Sequence, residues 1–214
     1  MRVIVTGTDT GVGKTIFCAG LARSLGAAYW KPIQSGLLEE TDTEVVQRLA
    51  ELPAAKLIAE AYRLRTPASP HWAAEIENVL VEPDVLSSLP PEECLVIEGA
   101  GGALVPVTRH MLYADMFARW SIPAIVCART SLGTINHTLM TLEALRIRRV
   151  PVLGVAFIGD EHLENARIIE ALGNVPNLGR LPWLSPLTPD SLQSAFGRSF
   201  SVSSIRQHYD ALTR

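Results

Sequence analysis

A glycine-rich stretch set between an apolar run and a helical pattern constrains this chain more than any other feature. Val3-Ile4-Val5 leads into Gly7-Thr8-Asp9-Thr10-Gly11-Val12-Gly13-Lys14-Thr15, and the segment from Ile16 to Leu25 then reads as a helix. Strand, glycine-rich turn and helix in that order is the context a phosphate-binding loop requires. Successive backbone N–H groups can cradle phosphate oxygens where small residues let the chain approach, and the positive end of the helix dipole adds to the attraction. Lys14 would reach the terminal phosphates. The Thr15 hydroxyl would suit Mg2+, a hard cation that prefers oxygen ligands. The strict spacing G-x-x-x-x-G-K-[ST] asks for glycine at position 8, where this chain has Thr8 and carries Gly7 one residue early.

Composition agrees with a buried parallel sheet. At 214 residues and 48% hydrophobic, the chain is absorbed by a single doubly wound α/β domain over 1–214. A formal net charge of −3 argues against electrostatic binding of nucleic acid. The tight basic group Arg146, Arg148 and Arg149 ends a helical pattern, where cations favour the dipole, and reads as a solvated helix end. No run approaches the roughly 18 apolar residues of a membrane span, and the start of the chain lacks a signal-peptide pattern, so the expected place is cytoplasmic, away from any membrane. Cys18, Cys94 and Cys127 are odd in number, lack C-x-x-C spacing and sit in or beside apolar segments, as core thiols of a reducing compartment do. The five histidines are dispersed, and no zinc site is expected.

Further along, Ala27 to Trp30 forms a short apolar run that ends in Lys31-Pro32-Ile33-Gln34-Ser35-Gly36. A lysine at the C-terminal end of a buried parallel strand lies on the edge where α/β folds place ligands. A helix begins near Asp42, and local pattern leaves Thr41 or Asp42 open as its N-cap and Asp42 open as a Mg2+ ligand. Ala54 to Ala61 reads as a helical piece, Arg65 to His71 as a proline-broken loop, and a helix follows from near Trp72. Leu95-Val96-Ile97 reads as a central strand with Glu98 directly at its end, where phosphate-loop proteins put a carboxylate that serves Mg2+. The glycines after it would let a substrate approach backbone N–H groups. A helix is expected at Tyr113 to Trp120, a strand at Ala124 to Cys127, and a helix to about Leu145 for which Thr134 and Asn136 are candidate caps and whose free start is a ready anion site. A strand at Val152 to Ile158, a helix at Leu163 to Leu172 and a strand at Asn177 to Leu181 complete the pattern. Trp183 beyond it could stack on a base or cover the sheet edge. Strands alternating with helices, several of them continuously apolar, predict a mostly parallel sheet with helices on both faces.

Taken together the residues resemble the dethiobiotin synthetases, in the ordered set Gly-Thr-Asp-Thr-x-Val-Gly-Lys-Thr at 7–15, Lys-Pro-Ile-Gln-Ser-Gly at 31–36, Ser-Pro-His at 69–71, Glu-Gly-Ala-Gly-Gly at 98–102, Leu-Gly-Thr-Ile-Asn-His at 132–137 and Gly-Arg-Leu-Pro-Trp-Leu at 179–184. The resemblance implies a homodimer that converts 7,8-diaminononanoate, CO2 and MgATP to dethiobiotin, ADP and phosphate. It implies Lys31 and Lys14 as catalytic cations and Thr15, Asp42 and Glu98 as Mg2+ ligands. The nucleotide would be held by Gly11, Val12, Gly13, Lys14, Thr15, Ile16, Asp42, Glu98, Gly99, Ala100, Gly101, Pro182, Trp183 and Leu184. The other substrate would meet Ser35, Gly101, Thr134, Ile135 and Asn136, the last three from the partner subunit. The chain departs from the family at Ile158, where an Asn that reads adenine is common. Competing readings are another amide-forming ligase, which would need an attached glutaminase domain, and a partitioning or regulatory ATPase, whose loop usually carries a signature lysine where Asp9 stands.

Overall fold

Val3, Ile4 and Val5 are all fully buried because the strand that holds them has a neighbour on each edge and a helical layer on each face. In the computed structural model, which describes residues 1–213, the chain runs through β1 (Arg2–Gly7), α1 (Lys14–Leu25), β2 (Ala28–Trp30), β3 (Ile33–Ser35), α2 (Asp42–Ala50), a 3-10 turn at Ala54–Lys56, β4 (Leu57–Ile58), β5 (Tyr62–Leu64), α3 (Pro70–Ile76) and α4 (Pro83–Ser87). It continues through β6 (Leu95–Gly102), β7 (Pro106–Thr108), β8 (Met111–Leu112), α5 (Tyr113–Trp120), β9 (Ala124–Arg129), α6 (Thr134–Ile147), β10 (Val152–Ile158), α7 (Leu163–Gly173), β11 (Asn177–Leu181), α8 (Pro189–Ser199) and α9 (Val202–Leu212).

The main sheet has seven strands in the order β11-β10-β9-β1-β6-β2-β4, and every pairing in it is parallel. Alternate residues of β1 serve opposite faces: Ile4 packs with Trp30, Ile97, Phe117 and Val126, whereas Val3 and Val5 pack with Phe17, Tyr29, Val96 and Phe196. Both faces are covered, as the continuously apolar strands predict. Among the described residues no helix is long and apolar enough to cross a membrane.

Several local expectations are corrected. Residues 54–61 make one 3-10 turn and the edge strand β4 instead of a helix, because Leu57 and Ile58 pair with Tyr29 and Trp30 of β2. Strand β6 does not end at Glu98. It runs on through the glycines, and Gly102 pairs with Gly7 of β1, so the missing side chains let the root of the phosphate loop lie against the strand. Gly133, in the left-handed region at φ 92°, caps α6 in place of Thr134 or Asn136, and the Thr134 hydroxyl turns back to the Arg129 carbonyl. Arg146 and Arg148 are engaged: Arg146 donates to the Gly173 and Asn174 carbonyls, and Arg148 pairs with Asp115 at 2.6 Å. Cys18 and Cys127 are buried, while Cys94 is half-buried.

Candidate active site

The C-terminal edge of the sheet at β1, β6 and β2 opens into a cleft of about 710 Å3. One wall is the phosphate loop. Gly13 takes φ 97°, a conformation that favours glycine, and α1 begins without a side-chain cap, so its first N–H groups stay available to an anion. Lys14 is 6% exposed, and its ammonium curls over the loop to donate to the Asp9 carbonyl at 3.0 Å. The opposite wall is β3, which pairs with β5 in a small parallel sheet, together with residues 67–70.

Three oxygens meet at the floor. Thr15 Oγ1 lies 2.9 Å from Asp42 Oδ1 and 2.9 Å from Glu98 Oε1. A hydroxyl has one proton to give, so one of these contacts sets oxygen against oxygen unless a cation intervenes. A hydroxyl and two carboxylates converging in this way fit the donor set of a hard divalent ion such as Mg2+. Each has a local cause. Thr41 caps α2 through a capping box with Glu44, which sets Asp42 as the first helical residue. Glu98, 1% exposed, is carried on the central strand β6.

Lys31 holds the two carboxylates together. Its ammonium, 4% exposed, pairs with Asp42 Oδ2 and lies 3.3 Å from Glu98 Oε1. Burial alone would push its pKa down, but the negative charges of Glu98 and Asp42 outweigh burial and hold it well above the ordinary lysine value. Asp42 shows the mirror effect: burial opposes ionisation, and the Lys31 charge and hydrogen bond, with the Thr15 hydroxyl, keep its pKa below the usual aspartate value. Burial lowers the pKa of Lys14, and the nearby Lys31 charge lowers it further.

The sign of the resulting pH dependence follows. The raised lysine contributes stability below its unfolded pKa of about 10.4 and loses it only as pH rises through the folded value. The depressed aspartate contributes above about 3.9 and loses it as pH falls through its folded value. Lys31 and Asp42 are therefore both charged across neutral pH, and Lys31 acts as a fixed cation with no proton to exchange. The pH profile of kcat between about 6 and 9 is expected to contain no ionisation of Lys31. An inflection there that disappears in Lys31→Met would contradict this.

Of the residues the sequence singles out, Gly11, Gly13, Lys14, Thr15, Ile16, Lys31, Ser35, Asp42, Glu98, Ala100 and Gly101 line the cleft. The Ser35 hydroxyl is buried and has no hydrogen-bond partner, so a ligand could claim it. Val12 is buried and packs in the core on the α1 face, and Gly99 lies against Phe117 with its carbonyl 3.4 Å from Lys31 Nζ. Sequence reasoning missed Gln34, whose side-chain carbonyl accepts from the Asp42 N–H at 3.3 Å, and Tyr29, whose hydroxyl donates to Glu98 Oε2 at 2.8 Å. Burial and the Glu98 charge raise the Tyr29 pKa well above its ordinary value, which keeps that donor protonated.

Residues 1–191 match a family model described as an AAA domain. A protein of Rhodopseudomonas palustris (strain BisB5) named ATP-dependent dethiobiotin synthetase is 59% identical over 201 residues, covering 94% of this chain and 95% of its own. Proteins of the same name from Agrobacterium fabrum and Sphingopyxis alaskensis are 57% and 58% identical, covering 95% and 96% of this chain and 96% and 99% of theirs. The chain belongs to the dethiobiotin synthetase family. Among solved structures, the cell division ATPase MinD of Pyrococcus furiosus is similar at a TM-score of 0.58 with 13% identity over 99% of each chain. A ParA family ATPase from Chlorobium tepidum is similar at 0.53 with 14% identity, covering 100% of this chain and 98% of its own. At such identities the likeness is one of fold.

The motifs that carry the resemblance fall into two groups in space. Those at 7–15, 31–36, 69–71 and 98–102 meet around the cleft. Thr134, Ile135 and Asn136 lie outside it at the end of β9, across β1 from Glu98, at a helix start that has no side-chain cap. Pro182, Trp183 and Leu184 follow the edge strand β11, with Trp183 65% exposed and Leu184 packed on the core. Ile158, the position at which the resemblance leads one to look for a base-reading Asn, is 3% exposed and packs against Gly13, so it brings no polar group there.

Proposed function

We propose that the chain carries out the ATP-dependent carboxylation and ring closure of 7,8-diaminononanoate to dethiobiotin. One amine attacks CO2 and gives up a proton to form a carbamate. A carbamate oxygen then attacks the γ-phosphorus and displaces ADP, giving a carbamic–phosphoric anhydride. The second amine attacks the carbonyl carbon, expels phosphate and loses a proton as the ureido ring closes. Carbamate and triphosphate are both anionic, so their meeting needs fixed positive charge, and so does the charge that develops on the transferred group.

The observation that carries this reading is the Lys31 ammonium buried at the floor of the cleft, fixed by Asp42 and Glu98 below the phosphate loop and within the same cavity as the unpartnered Ser35 hydroxyl. In this reading Lys14 and the N–H groups from Gly11 to Ile16 hold the phosphates, Lys31 offsets charge on the transferred group, and Ser35 and Gly101 meet the diamine. Thr15, Asp42 and Glu98 would hold Mg2+, which when bound offsets charge on the phosphates. Pro182 to Leu184 would flank the base of ATP. The uncapped start of α6, at Thr134 to Asn136, would take the substrate carboxylate in the partner's site of a homodimer, which accounts for its lying outside this chain's own cleft. Three free thiols suit the cytoplasm, where we place the enzyme.

ATP hydrolysis should be slow with nucleotide alone and stimulated at least about tenfold by the diamine together with bicarbonate, with dethiobiotin as product. Phosphate release indifferent to both would overturn this reading.

A further inference from the structure

Tyr29 lies outside the sequence motifs, yet it touches the site at its most buried point. Tyr29 lies in β2 and Lys31 directly follows that strand's last residue, two positions on, and both side chains come to Glu98. They reach it from opposite ends. Lys31 Nζ lies 3.3 Å from Oε1 on the cleft side, while the Tyr29 hydroxyl donates at 2.8 Å to Oε2. Thr15 also reaches Oε1, so the oxygens are sorted into one turned to the cleft and one turned to the core. Tyr29 is itself fully buried among Phe17, Val46, Leu49 and Val96, which leaves its ring little freedom.

We infer that Tyr29 is a positioning residue: its hydroxyl anchors Glu98 Oε2 and thereby fixes Oε1 as the oxygen offered to a divalent cation. The inference rests on the reading of Glu98 as a metal ligand. Hydrogen bonds to the far oxygen of a ligating carboxylate set its orientation, and their removal typically costs about 10–100-fold in metal affinity.

The test is Tyr29→Phe, which deletes one oxygen and keeps the ring. Mn2+ binding in the presence of saturating ADP, followed by electron paramagnetic resonance, should weaken at least about tenfold. The Mg2+ concentration for half-maximal turnover should rise in parallel, while kcat at saturating Mg2+ falls far less. Tyr29→Leu, which also removes the ring, should lower the melting temperature further yet weaken Mn2+ no more than Tyr29→Phe does. Mn2+ affinity unchanged in Tyr29→Phe but lost in Glu98→Gln would overturn the role of Tyr29 and leave Glu98 as ligand. Affinity unchanged in both would overturn the metal reading as well. A Tyr29→Phe protein that does not fold would assign the hydroxyl to stability and overturn the proposal.

Discussion

Lys31→Ala is expected to lower turnover by about 10²–10³-fold while keeping most of the affinity for nucleotide, the usual result when one preorganised charge is withdrawn from a phosphoryl-transfer site. In the proposed reaction the phosphates are held chiefly by the loop at Gly11–Thr15, which this change does not touch. Affinity for ADP and the rate of product formation must therefore be measured separately, since only the second should collapse. Arginine should not rescue, because a planar guanidinium cannot reproduce the compact point charge that Lys31 sets between Asp42 and Glu98. Loss of the ammonium also leaves Glu98, at 1% exposure, without its buried counter-charge, so the variant should melt lower. Turnover that survives intact would remove Lys31 from the mechanism.

Gly179→Ala is expected to produce the largest loss of stability among single-methyl substitutions away from the site. Gly179 sits in β11 at φ 131°, and a Cβ there would lie 2.1 Å from the Ser199 carbonyl oxygen and 3.1 Å from the Phe200 ring. The nearest obstacle is backbone at the end of α8, so relief requires moving the helix terminus or the strand. Backbone strain of about 1–3 kcal/mol plus that displacement corresponds to a melting temperature lower by roughly 5–10 °C. Gly197→Ala in α8 is the control: nothing lies within 4 Å of its Cβ, and alanine should be neutral or slightly stabilising. Equal melting temperatures for the two variants would show that the β11–α8 contact yields at no cost.

The features legible in the sequence were those in which chemistry and local geometry coincide. Gly13, Lys14 and Thr15 announce themselves because strand, loop and helix follow without a gap, and Glu98 because it follows three apolar residues of a central strand. What stayed hidden depends on pairing between distant segments. The alanines at 54–61 favour a helix locally, yet Leu57 and Ile58 gain more by closing the edge of β2. Nothing local marks Ile33 to Ser35 as a strand after Pro32, and only Tyr62 to Leu64, nearly thirty residues later, make it one. Helix α8 did carry a signal, Thr188 before Pro189 with Leu192, Ala195 and Phe196 at helical spacing, and it went unread. Tyr29 looked like one more apolar residue of its strand. The clue was its place two positions before Lys31.

The central position of β1 bears on how the protein is made. Its strand neighbours begin pairing only at Leu95 and Ala124, so a ribosome adding about 5–20 residues per second leaves this apolar ribbon without either flank for on the order of ten seconds. During that interval the nascent polypeptide carries a two-sided sticky segment. Its safe passage depends on whatever shelters it in the cell until β9 has emerged.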